Sequence, residues 1–320
     1  MAHSASSRTV IFAALLGNLL VAATKFGAAI VTGSASMLSE AIHSLIDTGN
    51  QGLLLVGIRR ATRPATALHP FGHGLELYFW TFVVALLIFG LGAGVSFFEG
   101  VVHILHPQPL AHVAVNYAVL VASIVFEGSV WLFALRAFRK DGKGKRGWVE
   151  AVQVSKDPTV FTVLFEDTAA LAGLAVALVG NILAECLDMP VFDGVASIVI
   201  GCILAVTAGF LARESQSLLT GEGVAPEVLV ALRRMALAAE GVERLNEIRS
   251  MHFGPHDVLV AISVDFRNDM SAGQVETVVS ALERQIKQHY PDVTRVFVEA
   301  QDSHTQPAGV AITGAGAPTP

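Results

Sequence analysis

Ser39-Glu40-Ala41-Ile42-His43-Ser44-Leu45-Ile46-Asp47-Thr48-Gly49-Asn50-Gln51 is the stretch on which the reading of the chain turns. It lies in an apolar run that begins near Met37 and ends at Arg59. Helical spacing puts His43 and Asp47, four apart, on one face. Glu40, three before His43, and Asn50, three after Asp47, extend the stripe to four polar side chains. On a soluble helix such a stripe is an ordinary solvated face. In a membrane span it has another meaning, because ionisable groups in lipid are costly and face a partner, a cavity or an ion path.

Composition favours the membrane setting. Of 320 residues, 53% are hydrophobic and only 15% charged, against about 25% charged in soluble domains; mean hydropathy is +0.58. The net charge of −6 argues against nucleic-acid binding. Cys186 and Cys202 form neither a metal-type pair nor a disulfide framework.

Six candidate spans follow, over 9–32, 36–58, 78–103, 112–137, 160–185 and 191–212, each near the ~20 residues that a bilayer core requires. The first is too long for a signal-peptide core and lacks a clear cleavage site. Gly33-Ser34-Ala35, His106-Pro107-Gln108-Pro109 and Asp188-Met189-Pro190 join spans on one side and hold no Lys or Arg. The opposite side carries Arg59, Arg60 and Arg63, then Arg136, Arg139, Lys140, Lys143, Lys145 and Arg146, then Arg213. The positive-inside bias therefore predicts that both termini are cytoplasmic.

After Glu214 the pattern changes. An amphipathic helix over 225–239 precedes alternating stretches at 244–252 and 258–266, with Gly254-Pro255-His256-Asp257 as the hairpin turn. A second amphipathic helix over 271–289 is capped by Ser271 with Gln274 three residues on, and Thr294–Glu299 is a last strand. The order α-β-β-α-β predicts a small α+β ferredoxin-like domain. The predicted organisation is a transmembrane domain over 1–214, a cytoplasmic domain over 215–302 and a disordered Gly-, Ala-, Pro- and Thr-rich tail over 303–320.

The spans contain further polar residues: Asn18 and Lys25 in the first, Glu127 in the fourth, the adjacent Glu166 and Asp167 in the fifth, and Asp193 opening the sixth. Carboxylates inside a span need a cation, a proton or each other. A divalent metal meets that need, with His43 and Asp47 giving an imidazole and a carboxylate and span five one or two carboxylates more. Imidazole with carboxylates suits Zn²⁺, and also Fe²⁺, Co²⁺ or Mn²⁺. Plainer readings stand beside this one. The His–Asp pair serves equally as a helix-packing hydrogen bond, Lys25 as a structural partner of Glu40 or Asp167, and Asp193 as a helix cap. Glu166 and Asp167 point about 100° apart on a helix, so one is expected as ligand and the other as proton carrier or pairing partner. In the loop after span two, His69 and His73 offer a weak metal-entry site, or a tight Pro/Gly turn whose histidines only hydrogen-bond.

Taken together, the six spans with both ends inside, His43-x-x-x-Asp47, the loop His69-Pro70-Phe71-Gly72-His73-Gly74, the fifth-span carboxylates and the ferredoxin-like end resemble the cation diffusion facilitator family of metal exporters. The resemblance covers residues 9–300. Leu164-Phe165-Glu166-Asp167-Thr168-Ala169-Ala170 and His106-Pro107-Gln108-Pro109 are similar to its zinc transporter nine-like branch. The resemblance implies a homodimeric integral membrane protein, in a bacterial inner membrane, that exchanges cytoplasmic Zn²⁺ for protons. Its implied metal site lies mid-membrane, between spans two and five. His43, Asp47 and Asp167, which keeps the family's register, would hold the ion there with Glu166. Asn18, Glu40 and Asn50 are supporting polar residues, and His69 and His73 a secondary loop site. No prosthetic group is implied, the metal being cargo.

Departures from the family pattern carry information. Val163 stands four residues before Asp167, where many members have a second histidine, so the site has at most one imidazole; this opens Fe²⁺, Mn²⁺ or Co²⁺ as alternatives. Thr66-Ala67-Leu68 replace an acidic residue before the histidine loop. Asn246, Ile262 or Ser263, and Glu299 occupy the strand positions where the family places cytoplasmic metal ligands, while His252 and His256 flank the hairpin turn. The soluble domain is thus predicted to dimerise without being a zinc sensor. Two other classes remain: a membrane metalloenzyme, against which stands the lack of His-Glu-x-x-His or a nucleophile motif, and a non-transporting scaffold acting through its soluble domain.

Overall fold

The computed structural model describes residues 2–107, 113–140 and 158–302; side chains at 2–14, 16, 17, 133, 134, 136–140, 159 and 160 are outside the description. The basic residues of 136–146 and the tail from 303 thus lie outside the described side chains or residues. Two compact units emerge, one holding Met1–Gly221 and one holding Glu222–His252 with the chain from His256 on.

The first unit is helical: α1 (Ala2–Thr32), α2 (Ala35–Ala61), α3 (Leu75–Leu87), α4 (Gly94–Leu105), α5 (Val113–Lys140), α6 (Pro158–Cys186) and α7 (Val191–Leu219). A π-helical turn, Ile88–Ala93, welds α3 and α4 into one rod. The periodicity in the sequence suggested one uninterrupted span there and gave no sign of the extra residue in the turn. Where α1 stops, Gly33 takes φ 68°, a conformation that costs other residues a Cβ clash. Ser34 then starts α2 by accepting a hydrogen bond from the Met37 amide at 3.1 Å.

Four rods, Leu75–Leu105, Val113–Leu132, Phe161–Cys186 and Val191–Leu219, are long and apolar enough to cross a membrane. The described apolar stretch of α1, Asn18–Thr32, is shorter. α2 has 27 residues, but its polar stripe dilutes its hydropathy. Of the six predicted spans, four are matched among the described residues by rods that qualify on length and composition. Burial confirms the solvent: on α1, Ile30 is 82% exposed while Lys25 is 0%. Apolar side chains face out and charges face in, which is stable in hydrocarbon and not in water.

Close packing rests on small residues. A Cβ on Gly194 would lie 2.9 Å from the Gly100 carbonyl oxygen, and one on Gly100 would lie 2.8 Å from that of Gly194. α4 and α7 therefore cross backbone to backbone, where dispersion and weak polar contacts replace the absent hydrophobic drive. α7 also grips α2. Asp193 does act as a cap, as expected, but for a neighbouring helix rather than its own. Its Oδ1 accepts from Ser34 Oγ at 2.8 Å and the Ser36 amide at 3.2 Å, and its Oδ2 from the Ala35 amide at 2.5 Å. The free amides and positive end of α2 explain the choice.

The second unit comprises α8 (Pro226–Leu237), β1 (Val242–Gly254), β2 (Asp257–Phe266), α9 (Ala272–His289) and β3 (Val293–Ala300). The sheet order is β1-β2-β3. A two-residue connection between neighbours makes β1 and β2 antiparallel, whereas β2 and β3 run parallel with Ile262 opposite Val298. A split βαβ sheet would interpose a strand between the two that the helix links; here they pair directly, as in a ferredoxin-like fold lacking its first strand. Val260, Ile262 and Val264 alternate into a core with Leu232, Leu282 and Ile286. Ser271 and Gln274 form the expected capping box.

The helix crossing yields a sign test. Gly194→Ala should lower stability by about 1–3 kcal/mol through overpacking. Gly209→Ala, whose methyl would meet nothing within 4 Å, should be neutral or stabilising. Thermal unfolding of the purified full chain reads both.

Candidate metal-binding site

The stripe on α2 faces inward as its spacing predicts: Glu40 and Asn50 are 0% exposed, and His43 1%. His43 Nε2 lies 3.5 Å from Asp47 Oδ2. That gap is close to the ~3.3 Å edge of a tetrahedron with bonds of ~2 Å, the geometry of a zinc ion held by imidazole and carboxylate. Both ring nitrogens of His43 and Oδ1 of Asp47 are buried without a hydrogen-bond partner among the described residues. Buried polar atoms of that kind are rare.

α6 brings the opposing carboxylates, and its two acids part company as their 100° offset requires. Glu166 turns to α2, accepting from Asn50 Nδ2 at 2.9 Å. Asp167 leaves Oδ2 unpartnered and lies within electrostatic reach of Glu127 on α5. Glu166, Glu127 and Asp167 all act on Asp47 through space. Among the described residues, however, no three His, Cys, Asp or Glu side chains are gathered to hold one ion. The α2 pair and the α6 pair stand as two half-sites, joined by the Asn50–Glu166 hydrogen bond.

Beside them Lys25 of α1 is fully buried and donates to Glu40 Oε2 at 3.2 Å, Ser44 Oγ at 2.9 Å and Glu127 Oε1 at 2.8 Å. Of its two expected partners, Glu40 is found and Asp167 is not; Glu127 takes the second place. Glu40 Oε1 packs against Gly173 of α6, where an added Cβ would meet it. Asn18 sits half-buried seven residues before Lys25. In the loop, His69 is exposed and His73 half-buried, with ring centroids 4.5 Å apart. The turn between them uses Gly72 at φ 87°, and the Gly72 amide donates to the His69 carbonyl. Two imidazoles alone make a weak site.

Sequence reasoning missed Asn116 on α5 and Asn181 on α6. Both are 0% exposed, with their amide atoms unpartnered among the described residues. Each is a polar residue in an apolar span, which is the signal that would have singled them out. In the second unit His252 is buried and His256 pairs with Asp292 at 2.8 Å. Asn246 donates to the Gln301 carbonyl at 2.9 Å, and Ser263 to the Gln301 side chain at 3.2 Å.

Residues 11–220 match the family model of the cation efflux transmembrane domain. The chain belongs to the cation efflux family. It stands near the SLC30A9 branch. The mouse "Proton-coupled zinc antiporter SLC30A9, mitochondrial" is 34% identical over 258 residues, covering 80% of this chain and 46% of that protein. The chain thus spans about half the length of the curated SLC30A9 relatives it matches. "Metal tolerance protein C4" of Arabidopsis thaliana is 29% identical over 266 residues, 82% of this chain and 58% of that protein. "Manganese efflux system protein MneP" of Bacillus subtilis (strain 168) is 22% identical over 293 residues, 91% and 95% of the two chains. As a member of the family the chain is an integral membrane protein.

The Lys25 cluster makes the stability of this cation efflux protein sensitive to single charges. Lys25→Met should cost about 3–5 kcal/mol by stranding two carboxylates. Adding Glu40→Gln and Glu127→Gln should return most of it, as read by thermal unfolding.

Proposed function

We propose that this protein exports a divalent cation, Zn²⁺ in the first place, from the cytoplasm in exchange for protons. The observation that carries the proposal is the inward His43–Asp47 pair, with ligand spacing and unpartnered donor atoms, in a chain of the cation efflux family. Asp167 and Glu166 complete the coordination from α6 when α2 and α6 shift toward each other, and Glu166 must then exchange Asn50 for the metal. Ligands hold metal only when deprotonated, so protonation from the far side releases the ion, and metal entry on the near side releases protons. The family membership and the relatives named as zinc antiporters support this reading, on which the protein is no enzyme.

The same reading puts residues 1–214 in the membrane, with 215–302 as a cytoplasmic domain through which two copies pair and 303–320 as a tail. Both termini are cytoplasmic, because the basic residues cluster on one side of the spans, and the host is a bacterial inner membrane. His69 and His73 serve at most as an entry point for the metal. A single imidazole among carboxylates also fits Mn²⁺, Fe²⁺ or Co²⁺, and Val163, where a second histidine would stand, favours that variant of the reading.

The test is flux in proteoliposomes carrying an internal pH dye, with the four cations compared side by side. Metal entry with opposed proton movement, lost in His43→Ala, Asp47→Ala and Asp167→Ala, is the expected result. An active Asp47→Ala transporter would overturn the site assignment. No flux of any cation through a folded dimer would instead favour a scaffold acting through the soluble domain.

A further inference from the structure

Two buried polar side chains of the membrane unit take no part in the candidate metal site or the Lys25 cluster. Asn116 on α5 and Asn181 on α6 are 0% exposed, and both amide atoms of each lack a hydrogen-bond partner among the described residues. Asn116 lies three residues after Val113, where α5 starts, and Asn181 five before Cys186, where α6 stops. Two hydrogen bonds set the register of this antiparallel pair. Tyr117 Oη donates to Glu185 Oε2 at 2.7 Å, and Trp131 Nε1 to Thr168 Oγ1 at 3.0 Å. Asn116, beside Tyr117, and Asn181, one turn before Glu185, therefore share one end of the bundle. It is the end whose connections, such as Asp188-Met189-Pro190, hold no Lys or Arg. Rotation aligns them with the buried acids. Asn116 stands eleven residues before Glu127, about 20° round α5 and about 16 Å along it. Asn181 stands fourteen residues after Asp167 and fifteen after Glu166, which puts it between the directions of the two acids and about 21 Å along α6. The acid-bearing faces of α5 and α6 thus both reach the asparagines. Asp193, at the same end, is engaged with the start of α2, whereas the two carboxamides stay uncommitted among the described residues.

We infer that Asn116 and Asn181 form an outer station on the cation path, a pair of neutral amides that hold water and, through it, the hydrated divalent cation as it leaves. This station rests on the transport reading above and deepens it. A carboxamide presents a carbonyl oxygen to a cation or to its water, and two N–H donors to water. It carries no charge, so it receives a dication without trapping it. A cation that gives up imidazole and carboxylate ligands must regain oxygen ligands from water, and the amides are polar groups placed where that exchange would occur. Buried and unpaired, they are in an unfavourable state. Opening of this end to water satisfies them, so the pair favours the outward-open arrangement and also supplies the first polar contact for the departing ion. A pair of asparagines serving only to bond helices together would have its partners filled in the closed bundle.

Apolar replacement separates this role from a structural one. In the full chain, Asn116→Val with Asn181→Val removes both amides. Uptake into proteoliposomes of Zn²⁺, or of whichever of the four cations the wild type carries, is measured beside binding of the same cation in detergent and thermal unfolding. The double variant should turn over about tenfold more slowly, with unchanged affinity and an unfolding temperature no lower than wild type, because amides without partners give way to groups that need none. Asn116→Ser with Asn181→Ser keeps a hydroxyl for water and should recover most of the rate. Wild-type turnover in the valine pair would show that the cation passes without these amides. A lower unfolding temperature would make them helix-bonding groups, and weaker binding would make them part of the metal site. Each of these results, or a serine pair as slow as the valine pair, would overturn the station. A folded wild type that carries none of the four cations would instead sink the transport reading itself.

Discussion

An ammonium group buried in a membrane helix must be met by protein, because the surrounding hydrocarbon offers nothing. Lys25 obeys that constraint, and much of the first unit follows from it. Its three partners lie on two other helices, so α1, α2 and α5 are held in one arrangement. Glu40, drawn to Lys25, packs against α6 at Gly173. The polar stripe of α2 is thereby rotated inward, and His43 and Asp47 are carried with it. The position of the candidate ligands is in this sense a consequence of charge pairing one turn away.

The two half-sites reflect the same economy of polar groups. Asn50 gives Glu166 a neutral donor, so the carboxylate is partly satisfied while remaining exchangeable; a lysine in its place would have bound it far more tightly. The unpartnered atoms of His43, Asp47 and Asp167 mark the other side of that balance. The buried amides of Asn116 and Asn181 extend polar character away from the ligands along α5 and α6.

Much of this was legible in the chain. The α2 stripe, the helical rods, the glycine turn at Gly33 and the capping box at Ser271 follow from period, hydropathy and local chemistry, all short-range properties. The pairing of Lys25 with Glu127 was not legible, because partners 102 residues apart leave no local signature and several carboxylates competed for the same cation. The cap that Asp193 supplies was half legible. Its place at a helix start was evident, yet the helix it serves is set by how α7 packs on α2. The π turn escaped because one extra residue per turn barely disturbs a uniformly apolar pattern. In the second unit the order of elements was readable, whereas the parallel pairing of β2 with β3 depends on no further strand standing between them among the described residues.

The grip of Asp193 on the first residues of α2 has a mechanical corollary. A rod gripped at its first residues behaves as a lever when the Lys25 bonds to Glu40 and Ser44 travel with it, and its displacement grows with distance from the pivot. His43 stands eight residues beyond Ala35, about 12 Å along the axis, and Asn50 fifteen residues, about 22 Å. A tilt of about 10° around the pinned end would therefore move His43 by about 2 Å and Asn50 by about 4 Å. The first displacement approaches the length of a metal–ligand bond, and the second exceeds the reach of a hydrogen bond. A small pivot at the amino end of α2 is thus enough to break the Asn50–Glu166 contact and remake the spacing between the half-sites in a single stroke.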